Sequence, residues 1–205
     1  MAYVLKSIFE SFDQEIKELN QIVSVLASQP QSLARDTHIE GCFIRLVVGW
    51  ECFIEEYFLR CMCRAQTRSK SEIKPKITPL KNTNEAFKKI NKHRKDRDKD
   101  FTDWLDPTSL QQRVDDNFRK NSRVQKICGS PEIVFELRII RNAIAHRSPS
   151  AIAKFKKYVK DQMGYLAEMD PTMASLLIQK RRDSPDMIFN ILSNYFLLLA
   201  NILTK

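Results

Sequence analysis

The sequence predicts an all-α protein, a bundle of about five to seven helices. Glycine accounts for only 4 of the 205 residues, which argues against an architecture of strands joined by tight turns. A capping side chain followed by proline is typical of a helix start, because the side chain accepts hydrogen bonds from the first turn and proline fits the first helical position. Such pairs begin at Asp106, Ser130, Asp170 and Ser184. The apolar content of 43% is sufficient for a buried core.

The first third of the chain predicts two long helices. Residues 4–26 carry apolar side chains at helical spacing, and the segment 29–32, which contains Pro30, ends this helix. The pattern from Thr37 to Glu40 is typical of a capping box. It opens a second helix that extends to about residue 64. Because this second helix is mostly apolar, we expect it to be central in the bundle.

Shorter elements are predicted for the rest of the chain. A polar loop over 66–82 contains two prolines that block regular structure. Beyond this loop, helices are predicted over 85–103, 106–120, 130–148, 151–165, 170–180 and 184–203. We expect a single domain over 1–205, with insertions predicted at residues 66–104 and 149–183.

The helix over residues 130–148, SPEIVFELRIIRNAIAHRS, carries the functional prediction. Apolar residues at 4-3-4 spacing form one stripe that should face the core: Ile133, Leu137, Ile140 and Ile144. A second set points to roughly the opposite side: Phe135, Ile139, Asn142 and His146. A helix that is apolar on two sides is normally covered on both, here by another helix of the same chain or by a second subunit.

Arg141 is followed directly by Asn142 and, after four intervening residues, by His146. This pattern resembles the signature of HEPN domains, and the run VFELRII and the ending AIAH are similar to this family as well. Upstream, the segment from Arg45 to Tyr57 resembles the long second helix of HEPN ribonucleases of the RiboL-PSP and MAE types. The resemblance implies a core of about four to five helices.

The cluster formed by Arg141, Asn142 and His146 contains the residue types needed to cleave RNA without a metal or cofactor, since RNA supplies its own nucleophile, the 2′-hydroxyl. His146 would move protons near neutral pH, and Arg141 would bind the scissile phosphate and stabilise its developing charge. Asn142 would hold the imidazole or bind the RNA. The resemblance implies a metal-independent endoribonuclease with a toxin, antiviral or abortive-infection role and an antitoxin or defence-system partner. Some relatives carry a tyrosine two residues after the histidine, where this chain has Ser148.

Two-fold pairing addresses a geometric difficulty of this cluster. Arg141 and His146 diverge by about 140° around the helix, and one histidine cannot be acid and base at the same instant. The resemblance implies homodimers in which two motifs line a shared cleft, and Phe135 and Ile139 would supply the apolar part of that interface. On the second helix, Glu51 and Glu55 are four positions apart. They form an ion-paired or solvated edge of the helix, or one of them orients Arg141.

Charge favours an anionic partner, with nucleic acid first and a membrane surface second, because the net charge is +9 and the pI about 9.4. The residues predicted to attract RNA are Arg147, Lys88, Lys89, Lys92, Arg94 and Lys95. The alternative for the run over 88–99 is a solvated helix face. Two further function classes stay open: a non-catalytic module that binds RNA or a nucleotide, and a helical protein-interaction module.

The cysteines and the apolar segments indicate a cytoplasmic protein without a membrane span. The five cysteines are odd in number, and small buried hydrophobic side chains are their expected role. Cys61 and Cys63 point apart on a helix, so they cannot hold one metal ion. The most apolar segment, residues 187–203, contains asparagines and serine and fits a buried helix better than a membrane span.

Overall fold

The computed structural model describes residues 3–91, 103–129, 131–163, 171–180 and 184–205. The described chain is predominantly helical, which confirms the predicted all-α class. The helices are α1 (Lys6–Ala27), α2 (Leu33–Met62), α3 (Thr83–Asn91), α4 (Pro107–Asn117), a 3-10 helix (Arg123–Cys128), α5 (Pro131–His146), α6 (Pro149–Met163), α7 (Met173–Ile178) and α8 (Ile188–Thr204). Of the described helices, none combines the length and the apolar character that crossing a membrane requires.

A small sheet accompanies the helices. It contains three strands of two residues each: β1 (Tyr3–Val4), β2 (Ala65–Gln66) and β3 (Glu72–Ile73). The central strand β2 runs parallel to β1 and antiparallel to β3, with Ala65 opposite both Tyr3 and Ile73. The segment predicted as an irregular polar loop therefore contains β3 and the end of β2.

The chain forms two compact units. The first comprises Met1–Asp13, Trp50–Pro131 and Leu197–Lys205, and the second comprises Gln14–Gly49 and Glu132–Phe196. The single domain expected from the sequence stays a prediction. The predicted insertion at 66–104 falls within the first unit, and the one at 149–183 falls within the second.

Aromatic side chains form the core of the first unit. Residues at 3- and 4-residue spacing on α2 stack in sequence, with ring centroids 5.6 Å apart for Trp50 and Phe53 and 6.2 Å apart for Phe53 and Tyr57. Phe12 of α1 stacks on Phe53 at 5.0 Å. Such pairs bury large apolar areas, so this part of α2 is central in its unit, as its apolar composition predicts.

The capping box predicted at Thr37 is wrong, because α2 begins four residues earlier. Ser32 caps the helix instead: its Oγ accepts a hydrogen bond from the Arg35 N–H at 3.2 Å. Thr37 lies inside the helix, and Glu40 is buried and paired with Arg147 rather than turned back to the helix start. The pattern was misleading because Glu40 has a tertiary partner.

The other predicted helix starts have mixed outcomes. The start at Asp106 is confirmed, because its Oδ2 accepts a hydrogen bond from the Ser109 N–H at 2.9 Å. The start at 170 is displaced, since α7 begins at Met173 and is capped by Thr172. The start at 184 is displaced as well, because Met187 forms a β-bridge with Lys180 before α8 begins. The charged helix predicted over 85–103 is observed as α3, and residues 92–102 lie outside the described chain.

The cysteines are free thiols with different degrees of burial. Cys61 and Cys63 are buried, as predicted, but Cys52 is exposed, so the prediction of a buried role is wrong there. Burial raises the pKa of the Cys61 thiol above its ordinary value of 9.0, and burial also raises the pKa of its neighbour Tyr57. Burial raises the pKa of Cys128 to about 11. These groups therefore resist ionisation in the folded state.

We expect the free energy of unfolding to decrease above pH 9.0, the ordinary pKa of a thiol. Above that pH the unfolded chain releases a proton from Cys61 that the folded chain keeps, so rising pH favours unfolding by about 1.4 kcal/mol per pH unit for each such group. Urea unfolding in a reducing agent measures this slope. Cys61→Ala should reduce the slope, whereas Cys52→Ala, an exposed thiol of the same helix, should leave it unchanged. Equal slopes in the two variants would contradict the assignment.

Candidate functional site

Helix α5 positions the predicted cluster, and its bounds agree with the sequence prediction. It begins at Pro131 and ends at His146. On its inner side Leu137, Ile140 and Ala143 are fully buried. Ile133 and Ile144, which the predicted stripe also contains, are only partly buried. The helix is therefore fixed through its middle turns within the second unit, and its last turn is more open.

Arg141 and Asn142 form a linked pair on α5. Both side chains are partly buried, and Arg141 Nη1 donates a hydrogen bond to Asn142 Oδ1 at 3.1 Å. The contact observed for Asn142 is thus with the guanidinium, whereas the sequence predicts that it holds the imidazole or binds the RNA. Because the guanidinium has five N–H donors, this bond restricts its direction and leaves others available to a phosphate.

His146 is exposed in the last turn of α5. The following residue, Arg147, adopts a left-handed backbone with φ 45°, and its N–H donates to the Ala143 carbonyl at 3.2 Å. This closes the last turn and directs the chain into α6. An exposed imidazole at this position is accessible to a substrate from solvent.

Arg147 forms an ion pair that the local sequence does not predict. Its Nη2 lies 2.6 Å from Oε2 of Glu40, a buried carboxylate of α2 in the same unit. The side chain of Arg147 is 59% exposed and that of Glu40 only 9%. Arg147 was predicted to attract RNA, but much of its charge is balanced here. Its clearest role is to compensate a buried glutamate and to hold the end of α5 against α2.

We expect Arg147→Gly to be more stable than Arg147→Ala by about 1 kcal/mol. Both variants lose the ion pair with Glu40, so both should be less stable than the wild type. Only glycine adopts a φ of 45° without a steric cost, and this cost is what the comparison isolates. Thermal or urea unfolding measures the difference. Equal stability of the two variants would mean that the backbone at this position is not left-handed.

Phe135 and Ile139 lie on the side of α5 that borders an open cavity. The cavity has a volume of about 630 Å³ and is lined by residues of α5 and α6, including Asn142. Phe135 is 62% exposed, whereas Ile139 is partly buried. The second cover of α5 is therefore in part another helix of the same chain, one of the two alternatives that the sequence left open. The exposed ring of Phe135 remains available to a second subunit.

The remaining predicted residues belong to the first unit. Glu55 accepts a hydrogen bond from Trp104 Nε1 at 2.7 Å, which gives this carboxylate a structural partner. Glu51 is buried at 9% exposure. Lys88 and Lys89 are exposed on α3. Three other predicted RNA-binding residues lie outside the described chain: Lys92, Arg94 and Lys95.

Two lysines of α6 lie beside the predicted site, and the sequence did not assign them to it. Lys154 and Lys157 line the cavity together with Asp161. These residues are three and four positions apart, which places them on one side of α6. That shared side can be predicted from the sequence. What the sequence did not show is that this side of α6 lies beside α5.

Comparison with protein-family models finds no match, and neither do the comparisons with curated proteins and with solved structures. Within the described ranges, no group of three His, Cys, Asp or Glu side chains is arranged to hold a metal ion. The fold and the site together define an all-α protein with an arginine-asparagine pair and an exposed histidine on one helix.

Proposed function

We propose that this protein is a metal-independent endoribonuclease that cleaves RNA by transesterification through the 2′-hydroxyl. The observation that carries the proposal is the arrangement on α5, where an exposed His146 follows the hydrogen-bonded Arg141–Asn142 pair. The resemblance of these three positions to the HEPN signature supports it. The net charge of +9 supports an anionic substrate.

The chemistry assigns a separate task to each residue. A base removes the proton from the 2′-hydroxyl, whose oxygen attacks the adjacent phosphorus, and the 5′-oxygen leaves with a proton. The products are a 2′,3′-cyclic phosphate and a 5′-hydroxyl. His146 acts as the acid–base group, and Arg141 binds the phosphate and stabilises the added charge of the transition state. Asn142 directs the guanidinium through its hydrogen bond with Arg141.

A two-fold dimer would bring two such clusters to one cleft, so that one His146 acts as base and its copy acts as acid. Phe135 and Ile139 would supply the apolar part of the interface. The proposal also places the protein in the cytoplasm, in a toxin or defence role with a neutralising partner protein. The toxin or defence role and the partner protein rest on the resemblance, and the cytoplasmic location rests on the cysteines, which are odd in number.

We expect Phe135→Asp to halve the molar mass measured by light scattering. A charge buried at a two-fold interface lies opposite its own copy, which disfavours association. The side chain is 62% exposed within the chain, so the fold should be preserved. Val25→Asp is a matched control, since Val25 is 56% exposed on α1 of the same unit. A monomeric wild type, or a Phe135→Asp variant of unchanged mass, would exclude this interface.

The experiment that tests the function is incubation of the purified protein with labelled RNA in excess EDTA. We expect cleavage to persist and the upstream fragment to end in a 2′,3′-cyclic phosphate. Loss of cleavage in EDTA, or a 3′-hydroxyl product, would overturn the proposed mechanism. If RNA is bound but never cut, the protein is a non-catalytic binding module instead.

A further inference from the structure

The cavity between α5 and α6 combines apolar walls with a cationic rim. Ile139 of α5 and Ala151 and Tyr158 of α6 contribute apolar surface, and the exposed ring of Phe135 lies at its edge. Its volume of about 630 Å³ falls in the range of pockets that bind small organic molecules. A planar apolar group therefore has both space and an aromatic surface to stack on.

The charges around this cavity favour an anion. Arg138, Lys154 and Lys157 line it, whereas Asp161 is the acidic residue of the lining. Lys154 and Lys157 are exposed on α6, so their ammonium groups can follow a ligand at the mouth. A second copy of the chain docked on this cavity by two-fold symmetry would oppose these cations with their own copies. Charge thus disfavours a second copy as the occupant of the cavity itself.

Asn142 connects the cavity to the proposed cleavage site. Its side chain lines the cavity and also accepts the hydrogen bond from Arg141. A ligand in the cavity therefore lies next to the guanidinium assigned to the scissile phosphate. An aromatic surface, an apolar floor and neighbouring cations are the elements with which proteins bind single-stranded nucleic acid.

We propose that the α5–α6 cavity is a nucleotide subsite for single-stranded RNA. The base enters the cavity over Ile139 and against the ring of Tyr158, and Lys154 and Lys157 bind the phosphates that flank it. Phe135, at the edge of the cavity, stays available to the second subunit. The identity of the anion as RNA rests on the proposed function. The subsite holds one unpaired nucleotide beside the cleaved bond, so the enzyme selects single-stranded over paired RNA.

Binding of a fluorescent 2′-O-methyl oligonucleotide, followed by anisotropy at several salt concentrations, tests the subsite. This probe has no 2′-hydroxyl and cannot be cleaved by the proposed mechanism. The double variant Lys154→Ala/Lys157→Ala should weaken binding by about tenfold. It should also make the negative slope of log K, the association constant, against log salt less steep by about 1.4, because each phosphate contact on a single strand contributes about 0.7. Lys160→Ala, an exposed lysine of the same helix outside the cavity lining, should change neither quantity by a comparable amount.

Two further variants test the cavity, and the first of them separates it from general charge attraction. Ala151→Phe places a large side chain in the cavity, where it obstructs the base, and should weaken binding by about tenfold without altering net charge. Asp161→Asn removes the acidic residue of the lining and should strengthen binding. If Ala151→Phe binds the probe like the wild type, the base does not enter the cavity and the proposal is overturned. A change of molar mass in Ala151→Phe without a change in affinity would assign the cavity to a second copy and overturn it as well.

Failure of the proposed subsite and failure of the proposed nuclease function give different results. If the wild type does not cleave RNA but the cavity variants lose binding, the subsite stands and the catalytic proposal fails. If the wild type cleaves RNA and the cavity variants bind the probe normally, the nuclease stands and the subsite fails.

Discussion

His146→Ala is expected to lower the rate of RNA cleavage by about a thousandfold while the protein remains folded. General acid–base catalysis by a positioned side chain typically contributes 10²–10⁴-fold, and the proposed dimer loses both the acid and the base at once. The side chain is exposed, so its removal should change the free energy of unfolding by less than about 0.5 kcal/mol. Cleavage of labelled RNA and thermal unfolding, measured on the same preparation, give the two quantities.

His38→Ala is the matched control for this experiment. His38 is also exposed and also lies on a helix of the second unit, where its Nδ1 is 2.6 Å from the Ala34 carbonyl oxygen. The control should cleave RNA like the wild type. If His146→Ala retains wild-type cleavage, the observed activity belongs to other residues or to a contaminating nuclease, and the assignment fails.

A histidine in the last turn of a helix has a simpler role available, since an imidazolium complements the negative end of the helix dipole. A purely structural His146 would therefore give a variant with lower stability and unaltered cleavage. The proposed catalytic role gives the reverse pattern, so the two measurements separate the two roles.

The parts of the fold that the sequence predicted well depend on local signals. Helix α5 begins at Pro131 and ends three residues before Pro149, and both prolines act on the residues next to them, so its bounds followed from the sequence. The start of α2 was missed because Glu40, read as the second half of a capping box, pairs with an arginine 107 residues away. A contact at that separation leaves no mark on local sequence.

The candidate site likewise has a part that the sequence predicts and a part that it does not. The period of 3.6 residues placed Asn142 and His146 on the side of α5 opposite its core stripe, and Phe135 with them. The cavity could not be predicted, because it exists only where α6 lies beside α5 and leaves a gap. Lys154 and Lys157 could be identified as one side of a basic helix, but their position next to Asn142 depends on how α6 packs beside α5.

The orientation of α5 itself is tested by truncating two neighbouring isoleucines. Ile140 is fully buried, whereas Ile139, the preceding residue, is only partly buried at the cavity. Ile140→Ala should reduce the free energy of unfolding by about 2–5 kcal/mol, because the removed atoms lose their burial and leave a cavity in a packed core. Urea unfolding at neutral pH measures this loss.

Ile139→Ala is the matched variant, since it makes the same chemical change one position away on the same helix. It should cost about 1 kcal/mol or less in the monomer, because part of its surface already faces an open space. The difference between the two variants removes any effect of helix propensity, which is common to both. A reversed order of stability would rotate α5 by about 100° and move Asn142 and His146 away from the cavity side. The proposed site and the proposed subsite would then both be untenable, because each requires that side of α5 to be open.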